Sequence, residues 1–347
     1  MSGQMLQTSE QLQRDHPVTV AEVMAEVEER AARGDFASFQ PLGTGFHPLD
    51  DVLNGGLRPG ELMIVGGPFG VGKTIFGLQT ARNVARTDED NRAIYICYEH
   101  DPFHLMSRLF CLESAETGTR REPLTLRNIA EMVSTNSKGL GLVSKLRNMP
   151  RHAQMLHDVD AYASRLVLVR ASGIHGTLDR IRQWVEQIAD TGAKRLLLVI
   201  DYLQKIPVGE RAVQSEAEAT TYITQGLKEL AVSMGIRVIA IAASDRQGLK
   251  ARRMRLADLR GGSALQYEAD IGIMLHNKHA IISREHLLFS PTQAEAMRNW
   301  LVMSIEKNRA GTNAIDMEYA LDGAHFRLAQ EGGFVRERLV DERVVLR

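Results

Sequence analysis

Residues Gly67-Pro68-Phe69-Gly70-Val71-Gly72-Lys73-Thr74 read G-x-x-x-x-G-K-T, the spacing of a loop that cradles phosphate groups. Gly67, Gly70 and Gly72 let backbone N–H groups turn inward around phosphate oxygens. A helix starting directly after them adds partial positive charge. Lys73 is placed to reach the β- and γ-phosphates of ATP, and Thr74 to set its hydroxyl on Mg²⁺. Two carboxylates extend this chemistry. Asp201 closes the apolar run Leu196-Leu197-Leu198-Val199-Ile200. At the C-terminal end of a parallel strand it stands in the ligand crevice, where it can hold Mg²⁺ directly or through water. Glu99 closes Ile94-Tyr95-Ile96-Cys97-Tyr98 and can act as general base on the water that attacks the γ-phosphate. On spacing alone Glu99 is equally a surface salt-bridge residue.

A second constellation is basic. Arg246, Lys250, Arg252, Arg253, Arg255 and Arg260 fall in a 15-residue window whose one acid is Asp258. Gly248, Gly261 and Gly262 mark this segment as loop. Such loops suit a phosphate backbone without reading bases; the other reading is a solvated charged loop. Tyr267 is the one aromatic nearby, so base stacking is not a strong expectation. His100 and His104 are spaced i, i+4 with no further metal ligands evident, and read as a surface pair. His276 and His279 read as part of a polar loop with Asn277 and Lys278. Trp184 reads as helix core.

The elements that must position these residues are legible as alternating strands and helices, an α/β pattern with a mostly parallel sheet. Strands are expected at Leu62–Val65, Ala93–Tyr98, Leu166–Val169, Leu196–Ile200, Val238–Ala242 and Ile271–Leu275, with more at Leu301–Ile305, Ile315–Tyr319 and His325–Leu328. Their continuous apolar runs suit strands covered on both faces. A helix from Ile75 to Arg86 follows the phosphate loop. Residues 112–165 read as a helical insertion between two strands. Residues 17–34 read as one amphipathic helix, with Val18, Val20, Val23, Met24 and Val27 opposite Glu22, Glu26, Glu28, Glu29 and Arg30. That apolar side packs either on its own domain or on a neighbouring subunit. Residues 1–16 are polar and expected to be disordered.

The chain has 347 residues, 44% of them hydrophobic, enough for a sizeable core. Net charge is −1, so affinity for nucleic acid must come from a local patch. Cys97 and Cys111 lie in apolar surroundings and read as free buried thiols, in keeping with a reducing cytoplasm. No signal peptide is evident, and no apolar run approaches the roughly 20 residues of a membrane span.

In order along the chain, G-P-F-G-V-G-K-T, Glu99 after a strand, V-I-D-Y-L-Q, V-I-A-I-A-A-S-D-R, A-D-L-R-G-G-S-A-L-Q-Y-E-A-D and E-K-N-R-A-G-T resemble the motor domain of DnaB-type replicative helicases. Residues 44–61, T-G-F-H-P-L-D-D-V-L-N-G-G-L-R-P-G-E, look like the entrance to that domain. The match covers about residues 17–330. It implies a RecA-like fold with a linker helix and linker at 17–41 and an ATPase domain at 42–330; outside it lie the tail at 1–16, expected to be disordered, and a C-terminal tail at 331–347. It also implies ATP and Mg²⁺ as cofactors, single-stranded DNA as partner, and a homo-oligomeric, hexameric ring with active sites at subunit boundaries. By the resemblance, the linker helix docks on the neighbouring subunit. Lys307 and Arg309 match a paired basic finger that reaches the neighbour's γ-phosphate. Arg260, Gly261 and Ser263 fall where the family's central loop grips the DNA backbone.

The sequence departs from the family in three places. Ala243 stands where the family has a Gln that senses the γ-phosphate and relays its state to the DNA loop. Gly261 replaces a Glu after the loop Arg. About 16 residues precede the linker helix where full replicative helicases have an N-terminal helical domain, which implies a shortened relative. The phosphate loop also resembles those of recombinase and clock-type RecA ATPases. An ATP-driven helicase is therefore the first reading, and a nucleotide-switched assembly protein the alternative.

Overall fold

The computed structural model describes residues 17–34, 39–117, 123–135, 139–209, 215–245, 248–282 and 295–340. The expected tail 1–16, the far C-terminus 341–347 and Arg246 lie outside the described residues.

Among the described residues, ten strands form one sheet. They are β1 (Leu62–Gly66), β2 (Asn91–Cys97), β3 (Leu166–Arg170), β4 (Arg195–Asp201), β5 (Arg237–Ile241), β6 (Ile271–Asn277), β7 (Trp300–Asn308), β8 (Ile315–Asp322), β9 (Arg327–Leu328) and β10 (Gly333–Phe334). The order is β10-β8-β7-β6-β1-β5-β4-β2-β3, with β9 on β8. β6 through β3 in that order run parallel, and β7, β8 and β10 pair antiparallel. Successive side chains alternate between faces. Met63, Val65, Tyr95, Val199 and Ile241 join one core, whereas Leu62, Ile64, Ile96, Leu198 and Ala240 join the other.

Helices cover both faces. α1 (Val20–Ala32) starts at a Thr19–Glu22 capping box, α2 is the short turn Leu49–Val52, and α3 (Lys73–Thr87) follows the phosphate loop. Between β2 and β3 come α4 (Pro102–Thr117), α5 (Leu126–Ser134), α6 (Leu142–Arg147) and α7 (Pro150–Asp160). This layer has its own core of Phe110, Cys111, Ile129, Leu146, Met155 and Leu156. It is tied to α3 through buried Arg82, which pairs with Glu113 at 3.1 Å and Glu116 at 2.6 Å. α8 (Leu178–Ala189) and α9 (Glu216–Met234) cover the second face. α10 is Gly262–Glu268 and α11 is Lys278–Ile281. Among the described residues, no helix is long and apolar enough to cross a membrane.

α1 buries none of its residues, and Val18, Val20 and Met24 are more than half exposed. Its apolar side is therefore left open by the described residues. Cys97 and Cys111 are free and buried.

Three expectations are corrected. The segment from 331 is not simply a tail, because Gly333–Phe334 pairs with β8 and Val340 N–H donates to Ile281 O at 2.7 Å. His276 is not in a polar loop. It lies within β6, 1% exposed, with Nε2 3.0 Å from Met254 O. Burial there, with Arg253 beside it, pushes its pKa down to about 4, so it is a neutral core residue. Gly262 does not mark loop; it opens α10, which Gly261 precedes at φ 76°.

Candidate functional site

The phosphate loop spans the gap between β1 and α3, as its motif requires. Gly67 holds φ 145°, and a Cβ there would lie 2.4 Å from Leu275 O, so no side chain fits. Lys73 begins α3, and its Nζ donates to Gly67 O at 2.7 Å and Pro68 O at 2.8 Å. Burial pushes its pKa down to about 8, against the opposing pull of Asp201 and Glu99.

β4 is the neighbour of β2 and delivers Asp201 to the same edge of the sheet. Asp201 is 5% exposed, and its Oδ2 accepts from Thr74 Oγ1 at 2.8 Å and Tyr95 Oη at 2.7 Å. A buried carboxylate and a hydroxyl side by side form a hard oxygen pair of the kind that holds Mg²⁺. Tyr95 was not legible as a site residue. Its burial and its bond to Asp201 hold the phenol well above its ordinary pKa, so it acts as a fixed donor.

Glu99, exposed just past β2, lines the same cleft of about 330 Å³ as Gly72, Lys73, Thr74, Asp201 and Ala243. Arg108 and Phe326 also line it, with the guanidinium over the ring at 4.9 Å. Arg108 also meets His100 Nε2 at 3.2 Å, and the His100 and His104 rings stack at 4.6 Å. The structure thus brings Gly67, Gly70, Gly72, Lys73, Thr74, Glu99 and Asp201 together. The arrangement can hold a polyphosphate, neutralise its charge and present a carboxylate to a water at its end.

Lys307 and Arg309 are elsewhere. β7 runs antiparallel to β6, so it ends at the edge of the sheet opposite the phosphate loop, with Asn308 beside Ile271. Ile271 is four residues from Leu275, the neighbour of Gly67, or about 13 Å of strand. Lys307 Nζ donates to the carbonyls of Gln266 and Tyr267. Arg309 bonds Asp270 at 3.0 Å and Tyr267 O at 2.7 Å. Asp270 also accepts from Leu62 N–H at 2.8 Å and Lys228 at 2.7 Å.

The basic segment divides. Lys250, Arg252 and Ser263 are exposed, and Arg260 is half exposed with an ion pair to Glu216 at 2.8 Å. Gly261 has no room for a side chain, since a Cβ would lie 2.4 Å from Thr220. Arg253 is a correction: it is 9% exposed and turned inward to Asp316 and Ser304, so it does not face a DNA backbone.

The family model of the DnaB-like helicase C-terminal domain matches residues 41–327. The replicative DNA helicase DnaB of Leifsonia xyli is 28% identical over 267 residues, covering 76% of this chain and 52% of that protein. Its counterpart in Geobacillus stearothermophilus is 26% identical over 237 residues, covering 68% of this chain and 47% of that protein. The chain spans about half the length of these curated relatives. Among solved structures, an isolated ATPase domain superposes with TM-score 0.69 at 18% identity, over 90% of this chain and 99% of that one. A DnaB-like replicative helicase superposes with TM-score 0.64 at 19% identity, over 91% of this chain and 67% of that one. These likenesses bear out the expected RecA-like α/β fold.

Proposed function

The chain belongs to the DnaB-like helicase C-terminal domain family, and on that premise we propose that it is an ATP-hydrolysing, ring-forming motor on single-stranded DNA. The observation that carries this reading is the position of Lys307 and Arg309. The phosphate-loop residues lie at one sheet edge and Lys307 and Arg309 at the other, which supports a site shared between two copies. A closed ring, hexameric as the family resemblance implies, repeats that contact without leaving an end. The exposed apolar side of α1, within the proposed linker 17–41, docks on the neighbouring ATPase domain.

In this reading Lys73 binds the β- and γ-phosphates and Glu99 accepts the proton of the attacking water. Thr74 and Asp201 would hold Mg²⁺, which supplies charge neutralisation at the phosphates. Lys250, Arg252, Arg260, the backbone at Gly261 and Ser263 meet the DNA backbone, Arg260 by exchanging Glu216 for a phosphate.

The test is ATP hydrolysis with and without single-stranded DNA. Stimulation is expected, together with displacement of a paired strand; its absence overturns the motor reading. Arg260→Ala weakens binding equally for all sequences. The slope of log affinity against log salt flattens by about 0.7, because one fewer phosphate of the single strand is neutralised. A sequence-dependent loss would contradict a backbone contact.

Lys73 also makes ATP binding sensitive to pH. Below about 8 it is charged and attracts phosphate, and above it the neutral amine does not. If the charged form binds, apparent ATP affinity falls about tenfold between pH 7 and pH 9, in proportion to the competent fraction. Titration calorimetry in buffers across that range checks this, and a flat profile would remove Lys73 as the titrating group.

A further inference from the structure

We propose that Gln204 is the positioning residue that links the nucleotide cleft to the DNA-contacting loop in this chain. The inference rests on the motor reading above and supplies a route that Ala243 lacks, since a methyl group cannot hydrogen-bond to a phosphate or pass on its state.

Gln204 sits in a single 3-10 turn, Leu203–Lys205, just beyond Asp201 and half buried. β4 and β5 are neighbours with Asp201 beside Ile241, so the side chain reaches past the end of β5. Its Oε1 accepts from Ala243 N–H at 2.9 Å, and its Nε2 donates to Arg260 O at 3.1 Å. One amide thus spans the two segments, and this orientation of its oxygen and nitrogen alone satisfies both partners. The segments also touch directly. Arg260 N–H donates to Ala243 O at 3.0 Å, Asp245 N–H to Asp258 O at 3.0 Å, and Ser244 forms an antiparallel bridge with Leu259.

The other end of this connection is the phosphate loop. Buried Ser244 donates from Oγ to Gly67 O at 2.8 Å, the same carbonyl that accepts from Lys73 Nζ. When Lys73 turns to a phosphate it leaves that carbonyl, and Ser244 becomes its side-chain donor. A change at the phosphates therefore alters the bond that holds Ser244, one residue from the Ala243 N–H that Gln204 grips. Arg260, whose guanidinium is proposed to meet DNA, lies at the far end of the same amide. The sequence of partners is Lys73, Gly67, Ser244, Ala243, Gln204, Arg260, with each link a hydrogen bond or a peptide unit.

Two substitutions break this link in different ways. Gln204→Met keeps the length and removes both bonds. Gln204→Glu keeps an acceptor for Ala243 N–H but sets a carboxylate oxygen against Arg260 O. Each full-length variant is assayed for ATP hydrolysis without DNA, for stimulation by an unlabelled oligothymidine strand, and for affinity to a fluorescent oligothymidine with and without a non-hydrolysable ATP analogue. Basal hydrolysis should stay within about twofold of the parent. Stimulation should be lost in both variants, and the ratio of DNA affinities with and without the analogue, ordinarily about 5- to 150-fold for coupled sites, should collapse toward one.

A parent chain without stimulation or a nucleotide-dependent affinity fails the motor reading, and the link with it. A coupled parent whose variants are equally coupled overturns the link alone. So does an equal loss of DNA affinity in both nucleotide states, which is what mere shaping of the loop would give. If Gln204→Met loses basal hydrolysis, Gln204→Glu carries the test. Loss in both places Gln204 in the hydrolytic site and overturns its role as a link.

Discussion

Lys73→Ala is expected to lower ATP hydrolysis at least about 100- to 1,000-fold, the range for removing one preorganised donor to a developing charge, and to weaken ATP binding. Lys73 is the cation of its own loop within bonding distance of Gly67 O and Pro68 O, at the floor of the phosphate cleft. Alanine leaves the backbone cradle intact. The cradle alone still binds phosphate weakly, so the variant should retain some nucleotide affinity and almost no turnover. Equilibrium binding of a fluorescent ATP analogue and steady-state phosphate release measure the two effects separately. Near-normal turnover would remove Lys73 from the mechanism and with it the assignment of this cleft.

Arg309→Ala should cost about 10³-fold or more in rate while leaving ATP affinity nearly unchanged, because a finger acts on charge that develops at transfer. Since Arg309 lies at the far edge of the sheet, the effect should appear at the neighbour's site. Mixing decides this. Arg309→Ala subunits have a sound phosphate loop, and Lys73→Ala subunits a sound finger. In mixed rings some boundaries pair the two, and part of the activity should return. A linear loss of rate as Arg309→Ala is titrated into the parent, with no recovery in the mixture, would show that Arg309 serves its own chain.

Much of this architecture was legible in the sequence because the chemistry sits at the ends of apolar runs. Leu62–Val65, Leu196–Ile200 and Val238–Ala242 are apolar on both faces, the pattern of strands covered by helices on either side. The phosphate loop and Asp201 follow them directly. Elements of weak pattern were harder to read. β10 is two residues long, and His276 and Asn277 extend an apolar strand by two polar residues, the first bonded to a backbone carbonyl. Arg253 looked like its neighbours because a run of basic residues does not disclose which of them meets an acid 63 positions away. Gln204 and Ser244 bond to peptide groups, which every residue carries, so no sequence pattern announces them.

Asp270 holds Leu62, the first residue of the strand that leads to the phosphate loop, and also Arg309 and Lys228. In a ring built as proposed, β1 and β6 are therefore a short crossbeam with one nucleotide at each end. A close-packed interior compresses little and transmits strain. Such a beam has little slack, so a tug on the finger by the neighbour's nucleotide is felt at the chain's own loop as tilt and not as stretch. The natural motion of the assembly is then the rocking of whole rigid subunits about their boundaries, with each ATP timing the tilt of two.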